Sequence, residues 1–296
     1  MRRLLPLLLT MLLATAAAPA QPTSSTLAPR DSLALATAAW DTDTLSGCLL
    51  RRFHFAHGEL FGSNQYVCFI ELPPQSPCRL AFAYEPRRTP TSTQARLHGA
   101  VAAVNGSFFD MQKHNPICFL RIDSLARGEN TPGVDTVNRK YYQYGCLALQ
   151  EGRARILKTD SNRRWEERLA YRDVMTAGPL LVHDGRQLPQ RPDRTFVTER
   201  HNRTAIGLRP DGTTLLVTVD GRTSQSAGLS LPELTRLMMW LGCTEVLNLD
   251  GGGSTTLYVR GRPHHGVVNY PTDNGRFDHA GERGVSSVVM VMPPDK

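Results

Sequence analysis

The segment Asn248-Leu249-Asp250-Gly251-Gly252-Gly253-Ser254 combines a carboxylate, three consecutive glycines and a hydroxyl within seven positions. Glycine loses more backbone freedom on folding than any other residue, so three in a row call for a compensating role. Their bare N–H groups can form a concavity for an anion such as phosphate, because no side chain blocks its approach. A tight turn is the alternative, but one or two glycines would satisfy it. We therefore expect the functional site at this loop.

Several further polar residues lie at expected strand ends or in turns beside glycine. Functional residues on a rigid scaffold tend to lie in such places. These residues are Asn105, Arg203, Asp220, Arg222, Asn269, Glu282 and Arg283. A single arginine is usually a solvated surface charge, so none of them is informative alone. Together they are candidates for one site around the glycine loop.

Other chemistries lack their signatures. The sequence has no Gly-x-Ser-x-Gly elbow, no His-Glu-x-x-His, no phosphate loop ending in Lys-Ser/Thr and no Gly-x-Gly-x-x-Gly after a strand. Serine esterase, zinc peptidase and nucleotide-binding functions therefore lose support. His264, His265 and His279 lack neighbouring ligands at metal spacing, which favours exposed loop histidines. We expect neither a metal nor another cofactor.

The net charge is basic, with 34 Lys and Arg against 27 Asp and Glu. Excess positive charge favours anionic partners. The basic residues are scattered, however, and no nucleic-acid-binding module is recognisable. An anionic small ligand, or simple solubility, explains the charge better than nucleic acid does.

The N-terminus predicts export. Arg2 and Arg3 precede an apolar run from Leu4 to about Ala17, and small residues follow up to Ala20, as in a cleavable secretory signal. The apolar run is shorter than the roughly 20 residues that cross a bilayer. We expect a signal peptide over 1–20 and a secreted or periplasmic protein with no transmembrane segment. Residues 21–36 begin rich in Ser, Thr and Pro and predict a flexible tether.

Residues 37–296 show no internal break in composition and no repeat, so we expect one domain. All six cysteines lie in the exported part, where disulfides are permitted. Cys68 and Cys78 flank a proline-rich turn and are the easiest pair to imagine bridged. Six cysteines allow fifteen connectivities, so the pairing stays open.

Local patterns indicate the elements that position the candidate residues. Residues 204–208 and 214–219 are apolar and β-branched, and Arg209-Pro210-Asp211-Gly212 between them predicts a hairpin turn. Ser230-Leu231-Pro232-Glu233 has the spacing of a capping box, which predicts a helix that ends near Gly242. Strands outnumber helices and occur as hairpins. The expected fold is α+β, with a largely antiparallel or mixed β-sheet core and a few packed helices.

Six ordered motifs resemble those of the phosphodiester glycosidase family. They are Val104-Asn105-Gly106-Ser107-Phe108-Phe109, Ala177-Gly178-Pro179-Leu180-Leu181, Arg203-Thr204-Ala205-Ile206-Gly207, Val219-Asp220-Gly221-Arg222, Leu249-Asp250-Gly251-Gly252-Gly253-Ser254-Thr255-Thr256 and Gly281-Glu282-Arg283. The resemblance runs from about Gly99 to Val291. It implies hydrolysis of the sugar C–O bond of a sugar-1-phosphodiester, such as an N-acetylglucosamine-1-phosphodiester. The family pattern often has glycine where this chain has Ser107.

The leaving group of that reaction, a phosphomonoester, needs charge stabilisation more than a strong general acid. We expect the guanidinium groups of Arg203, Arg222 and Arg283 to hold the phosphate together with Gly251, Gly252, Gly253 and Ser254. Asp250 and Glu282, with Asp220 as a third candidate, are the expected catalytic carboxylates. Asn105 and Asn269 would orient sugar hydroxyls.

Two other functions stay open at this point. The first is a non-catalytic module that binds a phosphorylated glycan or a cell-surface polymer. The second is a hydrolase that acts on teichoic-acid-like or lipid-linked phosphodiesters. Carboxylates hinder anion binding, so Asp250 and Glu282 argue against a purely binding role. The sugar, its anomer and the group beyond the phosphate are not specified by the sequence.

Overall fold

A computed structural model describes residues 30–131, 140, 143–160, 162 and 164–294. The predicted signal peptide, 1–20, lies outside these residues. So does the first part of the predicted tether, 21–29. Within the described residues, no helix combines the length and the apolar character needed to span a bilayer.

Strands dominate the described part of the chain. The strands are β1 Asp41–Thr44, β2 Leu49–Leu60, β3 Ser63–Leu72, β4 Arg79–Pro90, β5 Ala102–Asn105, β6 Leu120–Ile122, β7 Leu125–Gly128, β8 Gly145–Gln150, β9 Arg153–Lys158, β10 Asp173–Ala177, β11 Leu180–His183, β12 Arg186–Gln187, β13 Arg203–Leu208, β14 Thr214–Val219, β15 Glu245–Asn248, β16 Leu257–Val259 and β17 Gly284–Met292. The α-helices are α1 Arg30–Thr37, α2 Thr91–Leu97, α3 Thr195–Thr198 and α4 Leu231–Trp240.

The strands form three sheets. An eight-stranded sheet has the order β1-β2-β3-β14-β13-β15-β11-β12, a five-stranded sheet β7-β6-β10-β8-β9 and a four-stranded sheet β16-β5-β17-β4. Every pairing between these strands is antiparallel. The expected α+β class with a largely antiparallel core is confirmed, as is the hairpin β13–β14, in which Arg203 pairs with Val219.

Both faces of the eight-stranded sheet are buried, which explains why its central strands are nearly continuous apolar runs. In β14, Leu215 and Val217 pack on the side of α1 and α4. The alternate residue Leu216 packs on the other side, against the two smaller sheets. Helix α4 begins at the predicted capping box, in which the Ser230 side chain accepts from the Glu233 amide and Glu233 bonds back to Ser230. The sequence prediction of this helix start is confirmed.

The topology brings several strand ends together. Strand β13 runs antiparallel to both β14 and β15, so its start at Arg203 lies beside the end of β14 and the end of β15. Asp220 follows β14, and Asp250 follows β15 by two residues. The Asp250 amide donates to the carbonyl of Gly106, just after β5, at 3.1 Å. The four-stranded sheet thereby meets the eight-stranded one at the glycine loop.

The N-terminal part differs from the expectation. Residues 30–36 of the predicted tether belong to α1, whose Leu35 is buried and whose Asp31 accepts a hydrogen bond from the Phe61 amide at 2.8 Å. The boundary was wrong because the low-complexity composition ends before residue 30, and the apolar residues that follow can pack on the sheet.

The six cysteines are buried free thiols in this structure. The turn at Gly47 packs against Ser76 and Pro77, and the thiol of Cys78 reaches the carbonyl of Ser46 at 2.5 Å. Cys78 therefore lies beside Cys48. Cys68, which the sequence made the easiest to imagine bridged to Cys78, points from β3 into the core with Ile70.

Candidate active site

Asn105 ties the glycine loop to its scaffold. Its side-chain amide donates to the backbone carbonyl of Asp250 at 2.6 Å. Its Oδ1 accepts from the Thr204 hydroxyl at 2.7 Å and from the Thr256 amide at 3.2 Å. Asn105 is fully buried. The expectation that it orients sugar hydroxyls is therefore corrected: the side chain is committed to holding β5, β13 and the loop together.

Asp250 is a partly buried carboxylate at the start of the loop. Its Oδ1 accepts the Gly251 amide at 2.9 Å. Burial raises the pKa of Asp250 to about 6, while the Ser254 hydroxyl, the Gly251 amide and the charges of Arg283 and Arg222 lower it to a smaller extent. A carboxyl that titrates near neutrality beside cationic groups fits acid–base or nucleophilic work.

Neighbouring atoms leave no room for a Cβ at any of the three glycines. A Cβ on Gly251 would lie 2.7 Å from the carbonyl oxygen of Asn202. Gly252 has a left-handed φ of +61°, and a Cβ there would lie 2.9 Å from Nη2 of Arg222. A Cβ on Gly253 would collide with Oδ1 of Asp273 and lie 2.5 Å from Nη2 of Arg283. The glycines thus let two guanidinium groups approach the backbone.

Two of the three glycine amides in the expected anion-binding concavity are paired within the protein. The Gly251 amide donates to Asp250, and the Gly252 amide donates to the Asn202 carbonyl at 2.9 Å. The amides of Ser254 and Thr255 close the 3₁₀ turn by donating to Gly251 and Gly252. Internal acceptors satisfy these donors, since a tight turn with buried neighbours must pair its own backbone. Positive charge at the loop comes from arginine side chains instead.

Arg222 contacts the loop from the end of β14. It is exposed, and its guanidinium lies against Gly252. Its φ of 64° is in the left-handed region, which is uncommon for a residue other than glycine. Such backbone strain is concentrated at functional sites. Arg222 thus lies at the glycine loop, and its phosphate-binding role stays a prediction.

Arg283 contacts the loop from the other side, just before β17. Its Nε and Nη2 donate to the same oxygen, Oδ1 of Asp273, at 3.0 and 2.5 Å. The side chains of Arg283 and Asp273 retain 23% and 36% of their accessible surface. The pair therefore lies at the open face of the loop, over Gly253.

Arg203 does not join these two guanidinium groups. Its side chain is buried, and its Nε donates to the carbonyl of Leu229 at 2.7 Å. Its Nη2 donates to the carbonyls of Phe196 and Glu199 at 2.8 and 2.9 Å, and its guanidinium stacks over the Phe196 ring. The prediction that Arg203 holds phosphate is corrected: it anchors α3 and the segment after it to the start of β13.

Asp220 and Asn269 form a buried network behind the loop. The two carboxylate oxygens of Asp220 accept from the Asn269 side chain and from the Tyr270 amide, each at 2.7 Å. Asn269 also accepts the Leu257 amide at 2.7 Å. Burial raises the pKa of Asp220 to about 7, although these two donors lower it. Because both side chains are fully buried, we correct the expected catalytic role of Asp220 and the expected sugar-orienting role of Asn269. The pair positions the segment that leads to Asp273.

Glu282 is engaged with a helix rather than with Asp250. Its Oε1 accepts the Ser92 amide at 2.9 Å, and its Oε2 accepts the Ser92 hydroxyl at 2.6 Å. A carboxylate at a helix N-terminus is favourable, and Ser92 lies in the first turn of α2. Glu282 is partly buried and tied to α2, and its expected catalytic role stays a prediction.

Sequence reasoning missed two residues of the site. Asp273 lies among Thr, Asn and Gly, a composition that predicts only a turn. Asn202 precedes β13, and its buried carbonyl holds Gly252. Neither had a distinguishing local pattern. Ser107, which stands where the family pattern often has glycine, is buried. Its hydroxyl donates to the carbonyl of Thr176 at 2.5 Å, an internal hydrogen bond that glycine cannot make.

One group of possible metal ligands occurs in the described part of the chain. The ligand atoms of His183, Asp184 and Glu245 lie within 4.8 Å of one another. The imidazole of His183 contacts a carboxylate oxygen of Glu245 at 2.9 Å, and the other oxygen accepts the Asp184 amide. Glu245 begins β15, whereas Asp250 follows its end. The group is thus separate from the glycine loop.

Solved structures share this fold. The catalytic domain of zebrafish N-acetylglucosamine-1-phosphodiester alpha-N-acetylglucosaminidase aligns with a TM-score of 0.63 at 17% identity, covering 88% of this chain and 90% of the other. A hypothetical protein from Synechocystis aligns with a TM-score of 0.61 at 16% identity, covering 85% and 64%. At such identities the likeness concerns the fold. The aligned residues include strands before residue 98, so these strands are part of the shared fold.

Curated relatives match shorter stretches. An uncharacterised prophage-derived protein of Bacillus subtilis, YomE, is 43% identical over 125 residues, which is 42% of this chain and 18% of the relative. The mouse N-acetylglucosamine-1-phosphodiester alpha-N-acetylglucosaminidase is 36% identical over 100 residues, which is 33% of this chain and 18% of the enzyme. The matched stretch is therefore less than a fifth of each relative.

Residues 98–292 match the family described as phosphodiester glycosidase. This stretch is more than half of the chain and contains the glycine loop, Arg222 and Arg283. The chain belongs to the phosphodiester glycosidase family.

Proposed function

We propose that this protein is exported and hydrolyses the sugar C–O bond of a sugar-1-phosphodiester, of which an N-acetylglucosamine-1-phosphodiester is the first candidate. The observation that carries the proposal is the meeting of Asp250, Arg222 and Arg283 at one glycine loop. Membership of the family and the name of the mouse relative support the reaction type. The N-terminal pattern from Arg2 to Ala20 supports export.

In this proposal the arginines at the glycine loop, Arg222 and Arg283, bind the phosphate. A phosphodiester carries one negative charge, and the phosphomonoester that leaves carries a second as the C–O bond breaks. Guanidinium groups fixed beside the developing charge stabilise the transition state more than the ground state. Arg222 and Arg283 approach the loop from two strands, so they can hold different oxygens of the same phosphate.

Asp250 then acts at the anomeric carbon. Its ionised carboxylate either attacks that carbon or removes a proton from the attacking water. In both cases the electrons of the broken C–O bond go to the phosphate oxygen, which leaves as the phosphomonoester. Activated water gives the free sugar directly, whereas attack by Asp250 gives a glycosyl ester that a water molecule then hydrolyses to the free sugar. Retention of the anomeric configuration would indicate attack by Asp250, and inversion would indicate activation of water.

The direct test is release of sugar by the purified protein from a panel of sugar-1-phosphodiesters, with N-acetylglucosamine first and teichoic-acid-like and lipid-linked diesters included. The proposal expects free sugar and phosphomonoester in equal amounts. Binding of the panel without any release would contradict it and favour a glycan-binding module.

The pH dependence should report the ionisation of Asp250. Because the carboxylate must be charged to act as nucleophile or base and its pKa is about 6, we expect kcat/KM to fall about tenfold per pH unit below pH 6 and to level off above it. Arg222 lowers this pKa, so the inflection should move to higher pH in Arg222→Met. A profile that is flat from pH 4 to 8, or that falls above pH 6, would contradict this role of Asp250.

Gly253→Ala tests the close approach of Arg283. The Cβ of the new alanine would collide with Asp273 and displace the guanidinium of Arg283. A displacement of about 1 Å can lower the rate about a hundredfold. We expect kcat/KM to fall by about that factor while the protein stays folded by circular dichroism. Gly261→Ala is the control: no atom lies within 4 Å of its Cβ position, and its left-handed φ of 78° makes the substitution cost stability without changing the glycine loop. Equal activity in both variants would refute the steric argument.

A further inference from the structure

Asp273 holds the position at which the proposed site needs an anion. One of its oxygens accepts two hydrogen bonds from Arg283, from Nε at 3.0 Å and from Nη2 at 2.5 Å. The same oxygen lies so close to the backbone of Gly253 that a Cβ at this position would collide with it. A carboxylate oxygen therefore occupies the space between an arginine and the bare backbone of the glycine loop.

The backbone of Asp273 is held while its side chain faces solvent. Its amide donates to the carbonyl of Gly281 at 3.1 Å, and Thr272 forms a β-bridge with Gly281. The Asp273 side chain retains 36% of its accessible surface. Rotation about χ1 can consequently move the carboxylate away from Arg283 without moving the main chain.

A phosphate oxygen can replace this carboxylate oxygen chemically. Both are anionic acceptors, and guanidinium binds both through paired N–H donors. The negative charge of Asp273 would repel a phosphate bound at Arg283, so only one of the two anions can be held there favourably. Exposure and solvent screening keep the pairing of Asp273 with Arg283 weak enough to exchange.

We propose that Asp273 is a built-in competitor for the phosphate subsite: it pairs with Arg283 when the site is empty and is displaced by the phosphate of the substrate. This rests on the proposed function, which it extends by naming what limits anion affinity. The competing carboxylate weakens binding of free phosphate and phosphomonoester product. A substrate overcomes the competition with the additional contacts of its sugar.

The test is binding of inorganic phosphate to Asp273→Asn, measured by calorimetry without substrate. The amide keeps the size of the side chain but removes its charge, so we expect phosphate to bind about tenfold more tightly than to the parent protein. Asp123→Asn is the matched control: Asp123 pairs with Arg172 at 3.0 Å on an exposed turn, and its replacement should leave phosphate affinity unchanged. Thermal unfolding of each variant checks the fold.

A weaker or unchanged affinity for phosphate in Asp273→Asn would overturn the proposal, because Asp273 would then position Arg283 or play no part. Asp273→Ala provides a second variant with the same expected gain. Failure of the proposed function looks different: the parent would release no sugar, whatever the phosphate affinities are. If sugar is released and neither Asp273 variant gains affinity, the function stands and the competition fails.

Discussion

Asp250→Asn is expected to lower kcat for hydrolysis of a sugar-1-phosphodiester by at least about a thousandfold, roughly 4 kcal/mol of transition-state stabilisation. The amide oxygen of the variant can still accept the Gly251 amide, so the turn is preserved. The amide lacks the charge needed to attack the anomeric carbon or to accept a proton. Removing a negative charge beside Arg222 and Arg283 should leave substrate affinity equal or higher.

Steady-state kinetics, together with binding of inorganic phosphate, check this expectation. Asp123→Asn carries the same chemical change at a distant exposed turn and should retain full activity. If a folded Asp250→Asn protein turned over within about tenfold of the parent, or about 1.4 kcal/mol, Asp250 would be a structural turn residue.

Asp250→Asn should also change how the free energy of unfolding depends on pH. Burial raises the pKa of Asp250 from 3.8 to about 6 in the folded protein, so its ionisation disfavours folding. The parent is expected to lose up to about 3 kcal/mol of unfolding free energy from this carboxyl as the pH rises from about 4 to above 6. Asp250→Asn lacks that loss. Urea unfolding at pH 4 and pH 8 measures the difference.

Arg222→Met is expected to lower kcat/KM by about a hundredfold to a thousandfold, the usual effect of removing one donor from a developing oxyanion. Arg222 is exposed and its guanidinium lies against Gly252, so little packing is lost with it. Lysine keeps the charge but not the paired donors, so Arg222→Lys should recover only part of the loss. Thermal unfolding should stay close to that of the parent.

Arg172→Met is the matched control for this prediction. Arg172 is also exposed and contacts a carboxylate, that of Asp123, on the turn before β7. Its replacement should leave kcat/KM within about twofold of the parent, as expected for a surface charge far from the reaction. If Arg222→Met and Arg172→Met had equal activity, the phosphate would have to be held elsewhere.

The elements of the fold could be predicted where local chemistry determines them. The capping box at Ser230 and the turn at Arg209-Pro210-Asp211-Gly212 depend on residues a few positions apart, and both were correct. The close approach of other groups to the glycine loop was also predictable, because three consecutive glycines are costly to fold. The sheet order was not, since β3 pairs with β14 across about 150 residues.

The roles of individual polar residues were harder to predict than their neighbourhood. Asn105, Arg203, Asp220 and Asn269 all lie behind the glycine loop, as expected, but their side chains point into the protein and satisfy buried partners. A polar residue at a strand end can contact the ligand or stabilise the scaffold behind the binding site. Burial decides between the two, and burial depends on the packing of three sheets rather than on any local pattern.

The placement of β17 has a consequence for when the protein becomes active. This strand, close to the end of the described chain, lies in the middle of its sheet between β5 and β4, and Arg283 immediately precedes it. Pairing of β5 with β17 joins segments about 180 residues apart, a contact that must wait for the later segment to be made. A growing chain therefore contains Asp250 and Arg222 before it can contain a working site. The candidate site is complete only after residues 284–292 have been synthesised and have paired, because Arg283 is held in place by the strand that follows it.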